Sequence, residues 1–207
     1  MKADSIIFDL DGTLWDSSRQ VTDSWNVVLK QRGINRTLTV DDLMGVMGML
    51  MEDIMRTFFP KMQDEKRLEL LKACCEYENE YVAKVGGNLF DGLEQTLDVL
   101  AKTHKLFIVS NCQAGYIEAF LEAHQLHQYF TDFENPGRTG LPKADNIRLI
   151  VERNGLKNPV YVGDTLGDCN SAKKAGVPFV FARYGFGEVD VYDNVIDSIK
   201  ELPELMK

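Results

Sequence analysis

At 207 residues the chain is long enough for one full hydrophobic core, alone or carrying an inserted module. Its 44% hydrophobic and 27% charged residues are those of an ordinary globular protein and exclude a disordered or low-complexity one. A net charge of -9 argues against nucleic acid or an anionic membrane surface as partner, since both call for clustered Lys and Arg.

Residues 5–10 form the first short apolar run, and it ends in two carboxylates, Asp9 and Asp11, followed by Gly12 and Thr13. This pattern predicts a buried strand with chemistry at its tip, because two like charges so close together call for a cation or a retained proton. Residues 15–86 then offer no convincing strand and read as helical. Val21, Trp25, Val28 and Leu29 fall on one helical face, and Leu70, Cys74, Tyr77 and Tyr81 on another. Gly86 and Gly87 close the segment, which predicts a four-helix insertion after the first strand.

Further apolar runs follow at 106–109, 159–162 and 177–182. Helical patterns lie between them at 115–124, at 146–153 with Ile147, Ile150 and Val151 on one face, and at 168–174. Apolar strands alternating with amphipathic helices predict an α/β fold, a Rossmann-like doubly wound parallel sheet, here with an inserted α-helical cap. The expected division is a core of residues 1–14 and 87–207 and a cap of residues 15–86, hung over the carboxyl ends of the strands where such sheets bind ligands.

Four sites along the chain are expected to converge at that edge: Asp9 with Asp11, Ser110 with Asn111, Lys143, and the run from Gly163 through Asp164 to Asp168. Taken singly, each has an ordinary reading as a turn, a cap or a surface lysine. Taken together, in this order and after these strands, they form a phosphoryl-transfer set. Asp9 is the expected carboxylate nucleophile, and Asp11 the acid that protonates the departing oxygen and later activates water. A hard divalent cation, Mg²⁺, is expected on Asp9, Asp164, the backbone carbonyl of Asp11, and Asp168 directly or through an outer-shell contact. Lys143 and Ser110 are expected to bind phosphoryl oxygens.

The DxDGT arrangement of Asp9 to Thr13, Ser110-Asn111, Lys143 and the GDxxxD arrangement of Gly163 to Asp168 resemble the motifs of haloacid dehalogenase superfamily phosphatases with a helical cap after the first strand. Ala175-Gly176-Val177-Pro178 and Tyr184-Gly185-Phe186-Gly187 are similar to the phosphoglycolate phosphatase branch. The resemblance covers essentially the whole chain. It implies an aspartyl-phosphate on Asp9, substrate binding by Thr13, Ser110, Asn111 and Lys143, and specificity set by the cap loop at 44–49. The acid at Asp11 argues against dehalogenation. One departure is Pro142 before Lys143, where relatives commonly have the proline after the lysine.

A phosphatase acting on a small phosphate ester is therefore expected, with a β-phosphoglucomutase-type mutase and a non-catalytic binding protein as rival readings. The loop at 44–49 is rich in Met and Gly and brings no cation, while Arg36, Lys61 and Lys84 stand in neighbouring cap segments. Cys74 and Cys75 are adjacent, Cys112 and Cys169 stand alone, and no CxxC or zinc spacing occurs, so reduced thiols are expected. No apolar run approaches the roughly 20 residues of a membrane helix, and no signal-like segment follows Lys2. A cytoplasmic monomer is the expectation.

Overall fold

A computed structural model describes residues 2–207. The chain opens with β1 (Ser5–Phe8) and a two-residue β2 (Trp15–Asp16). Four helices follow: α1 (Ser18–Gln31), α2 (Val40–Met44), α3 (Met51–Phe58) and α4 (Asp64–Val85). Next come β3 (Asn88–Leu89), α5 (Leu93–Leu100), β4 (Lys105–Val109), α6 (Tyr116–His124) and β5 (Phe130–Glu134). The remainder is α7 (Pro136–Thr139), α8 (Lys143–Asn154), β6 (Pro159–Gly163), α9 (Leu166–Ala175), β7 (Phe179–Ala182), β8 (Asn194–Ile196) and α10 (Leu202–Leu205).

The main sheet runs β5-β4-β1-β6-β7-β8, with every pair parallel. Strand side chains alternate between its faces, as the pleat requires. Ile6, Phe8, Leu106, Ile108, Val160, Val162 and Val180 meet one apolar layer, and Ile7, Phe107, Tyr161 and Phe179 meet the other. Ile117 and Phe120 of α6 close the first layer, while Ile147 and Ile150 of α8 close the second. The first layer continues into the helical insert through Trp25, Leu29, Phe58 and Leu70.

The chain moves outward from β1 to β4 and β5, then returns to β6 on the other side of β1. That reversal leaves a crevice at the carboxyl ends of β1, β4 and β6, where doubly wound sheets hold their ligands.

Two expectations are corrected. The stretch expected to lack strands begins with β2, which pairs antiparallel with β3 and ties the entry of the helical insert to its exit. On α4 the fully buried stripe is Leu70, Cys74, Glu78 and Val82, at an even spacing of four, with Tyr77 and Tyr81 displaced to its flank. A carboxylate therefore occupies a position that amphipathicity alone assigns to an apolar residue. Among the described residues, no helix is long and apolar enough to cross a membrane.

Candidate active site

The tip of β1 carries the first functional group. The Asp9 amide still donates to the Val162 carbonyl at 2.8 Å, so the strand pairing holds the residue, and its side chain is buried. The chain then turns through Gly12 at φ +79, where a methyl group would collide with the Asp164 carboxylate. Only glycine combines this left-handed backbone with so close an approach.

Asp164 follows β6 and is held on both oxygens. The Thr13 hydroxyl donates toward Oδ1 at 3.4 Å, and the Phe186 amide donates to Oδ2 at 2.8 Å. The Thr13 side chain is itself fully buried and turned to Asp164. Asp168 belongs to the capping box that starts α9, its Oδ2 accepting from the Thr165 amide and hydroxyl at 3.0 and 2.6 Å. Its other oxygen accepts from Lys143 Nζ at 2.5 Å and from the Tyr161 hydroxyl at 3.3 Å.

Lys143 is the first residue of α8, immediately after Pro142, and its ammonium is buried between Asp168 and Asp9, 2.8 Å from Asp9 Oδ1. Pro142 is the N-cap, so placing the proline before the lysine preserves a helix start there. Burial alone would lower the lysine, but the charges of Asp168 and Asp9 override it and raise it.

Ligand oxygens of Asp9, Asp164 and Asp168 lie within 4.8 Å of one another. Three buried carboxylates against one ammonium leave a surplus of negative charge. The strain appears in the acids: burial and the Asp168 charge raise Asp9, and burial with the charges of Asp168 and Asp9 raises Asp164. An all-oxygen donor set with excess negative charge fits a hard divalent cation such as Mg²⁺.

Asp11 stands apart from that cluster. Its Oδ1 accepts three hydrogen bonds, from Ser17 Oγ at 2.7 Å, Trp15 Nε1 at 2.9 Å and the Tyr116 hydroxyl at 3.0 Å. Burial raises its pKa against the lowering pull of Ser17, Tyr116 and Trp15. Ser110 is buried at the end of β4. Asn111, next along, donates from Nδ2 to the Gly48 carbonyl at 3.0 Å, while its Oδ1 is buried without a partner. The loop at 44–49 thus touches the core through one of the residues expected to bind substrate.

All the expected site residues gather at the sheet edge except that the Asp11 carboxylate faces the helical insert. The expected cations of the insert do not join them. Arg36 lies over the Phe58 and Phe59 rings and donates to the Phe58 carbonyl, and Lys61 and Lys84 are exposed. Sequence patterns missed Trp15, Ser17 and Tyr116 around Asp11, and Glu78. The legible signal for Glu78 is its place four residues after Cys74 on the buried face of α4.

A family model described as haloacid dehalogenase-like hydrolase matches residues 6–182. A plasmid-encoded phosphoglycolate phosphatase of Cupriavidus necator is 26% identical over 98% of this chain and 92% of its own length. The phosphoglycolate phosphatase of Nitrosospira multiformis is likewise 26% identical, over 98% of this chain and 95% of its own. Among solved structures, a haloacid dehalogenase-like family hydrolase from Streptococcus pneumoniae superposes with a TM-score of 0.86 at 21% identity, covering 99% of each chain. That last likeness concerns the fold.

Proposed function

This chain belongs to the haloacid dehalogenase-like hydrolases, and from that premise we propose that it is a Mg²⁺-dependent phosphatase of small phosphomonoesters working through an aspartyl-phosphate on Asp9. The observation that supports this reading is the meeting of Asp9, Asp164, Asp168 and Lys143 in one buried cluster, with the Asp11 carboxylate held separately by its own donors. A nucleophile inside a cation-demanding cluster and a nearby acid held by its own donors are the two parts that phosphoester cleavage needs.

In the first half-reaction an Asp9 carboxylate oxygen attacks phosphorus, and the bond to the leaving oxygen breaks as Asp11 gives that oxygen its proton. The products are an aspartyl-phosphate and an alcohol. In the second, Asp11 takes a proton from water as the water oxygen attacks phosphorus, releasing inorganic phosphate and restoring the Asp9 carboxylate. Burial favours the protonated form of Asp11 that begins the cycle.

Lys143, kept cationic by Asp168 and Asp9, would bind phosphoryl oxygens together with Ser110. Thr13 would act through Asp164, and Asn111 from the rim beside the loop. Asp9, Asp164, Asp168 and the Asp11 backbone carbonyl would hold Mg²⁺, which when bound offsets the repulsion between an anionic nucleophile and an anionic ester. Helices α1–α4, residues 15–86 in the proposed division, would form the cap over this edge, with residues 1–14 and 87–207 as core.

The test is phosphate release by the purified protein from a panel of small phosphoesters, with Mg²⁺ and with a chelator. Release that requires the metal and is lost in Asp9→Asn is expected. Turnover unaffected by that substitution would overturn the reading.

A further inference from the structure

Asp11 also lines a small cavity of about 40 Å³ between the helical insert and the sheet edge, to which Asp9, Asp164 and Asp168 do not contribute. Its polar lining is Asp11, Trp25, Glu78, Asn111, Gln113 and Tyr116, and the rest is apolar, with Met47 and Met49 from the loop before α3. If Asp11 protonates the leaving oxygen, this is the space the leaving group enters.

Most donors around the cavity are already committed, with one N–H of the Asn111 amide left over. Trp25 Nε1 donates to Glu78 Oε2, and Gln113 Nε2 donates to Glu78 Oε1 and to Asn79 Oδ1, each of the latter two at 3.0 Å. The Tyr116 hydroxyl serves Asp11, and the Asn111 amide serves Gly48. Acceptors remain: Asn111 Oδ1 is buried with no partner, and the Glu78 carboxyl keeps lone pairs beyond those two bonds. No Lys, Arg or His among the described residues lines the cavity. In the wider groove beside it, Arg56 is paired with Glu52 and Asp53.

A carboxylate is an acceptor without donors, and here it would face Asp11 and Glu78 with no cation to meet it. A hydroxyl brings donors to a cavity richer in free acceptors than in free donors. We infer that the leaving group is a short, hydroxylated one without a carboxylate, so that the protein selects small polyol monophosphates and rejects carboxylated phosphoesters of similar size, with Glu78 and Asn111 as the residues that read the hydroxyls. The shortness follows from the cavity, whose volume of about 40 Å³ leaves no room for a leaving group the size of a hexose or nucleoside. This inference rests on the phosphatase reading, and it separates the chain from the substrate named for its curated relatives.

The test compares kcat/KM of the full chain with Mg²⁺ on glycerol phosphate and phosphoglycolate, with acetyl phosphate as a control for phosphoryl chemistry. Glycerol phosphate is expected to exceed phosphoglycolate by at least about tenfold. Glu78→Gln is expected to narrow the gap to phosphoglycolate by at least about threefold, mainly through KM, because it turns an acidic acceptor into an amide that can donate. Since Glu78 is buried, Met49→Lys supplies a second route. Met49 is 37% exposed and lines the cavity, so this variant places the missing cation there and should raise phosphoglycolate turnover relative to glycerol phosphate.

Phosphoglycolate equal to or better than glycerol phosphate overturns the inference, as does hydrolysis of acetyl phosphate alone. Failure on acetyl phosphate as well overturns the phosphatase reading itself.

Discussion

The two sides of Asp11 follow opposite rules. Toward Asp9, carboxylates outnumber cations, and the single ammonium of Lys143 bridges Asp9 and Asp168. Toward Glu78, acceptors outnumber free donors and no cation is present among the described residues. An excess of buried charge can be balanced by one small ion, so the first side suits a phosphoryl group and its metal. An excess of acceptors with no cation beside them is relieved by hydrogen-bond donors, so the second side suits hydroxyls. The difference shows how a single acidic residue can stand at the border between a centre that recognises charge and one that recognises hydrogen bonds.

The comparison breaks most sharply at Asp9. Asp9→Asn keeps the shape of the side chain but removes its nucleophilic charge, and phosphate release should fall by about a thousandfold or more. A colorimetric phosphate assay on acetyl phosphate reads this directly, and turnover near the wild-type level would place the chemistry elsewhere.

Next in size is the response of the metal-free protein to pH. Asp9 and Asp164 are raised above their ordinary values, so the folded chain holds protons that the unfolded chain releases. Stability is then largest at low pH and falls as pH rises from about 4 through the raised folded values. With a chelator present, the melting temperature should be lower at about pH 8 than at about pH 6, by about 3 °C or more. Mg²⁺ should recover more stability at the higher pH, where it no longer competes with protons. Differential scanning calorimetry at the two pH values decides it, and a flat profile without metal would show that the surplus charge is relieved some other way.

How much of this was legible in the sequence differs between the two sides as well. The β1 tip, Lys143 and the Gly163 to Asp168 run are local patterns attached to apolar strands, and parallel topology brings their ends together without further information. Strand β5 and strand β8 escaped the search for apolar runs because they are the edges of the sheet and carry polar residues such as Asp132 and Asn194. Helix α5 escaped it too, although Leu93, Leu97 and Leu100 share its buried face.

The cavity was the least legible part. It depends on which face α4 turns inward, and a rotation of about 100° in an amphipathic pattern exchanges Tyr77 for Glu78. The partners of Glu78 come from α1 and from the loop after β4, segments separated from it by 53 and 35 residues. No local motif records such a meeting.

The finest test of the border is the set of donors on Asp11. Tyr116→Phe removes one of three hydrogen bonds to Oδ1 but retains the ring, which packs 5.8 Å from the Trp15 ring. That bond favours the charged carboxylate, so its loss should raise the Asp11 pKa further, by about half a unit to one unit. An acid works only while protonated, and the high-pH limb of kcat/KM should therefore move to higher pH by the same amount. Ser17→Ala removes a second donor, at 2.7 Å, and should move the limb in the same direction. If neither substitution shifts the limb while both lower kcat, the three donors merely fix the position of Asp11, and the proton that reaches the leaving oxygen comes from another group. A shift with little change in KM would instead tie the tuning to the proton transfer and leave recognition of the leaving group to Glu78 and Asn111.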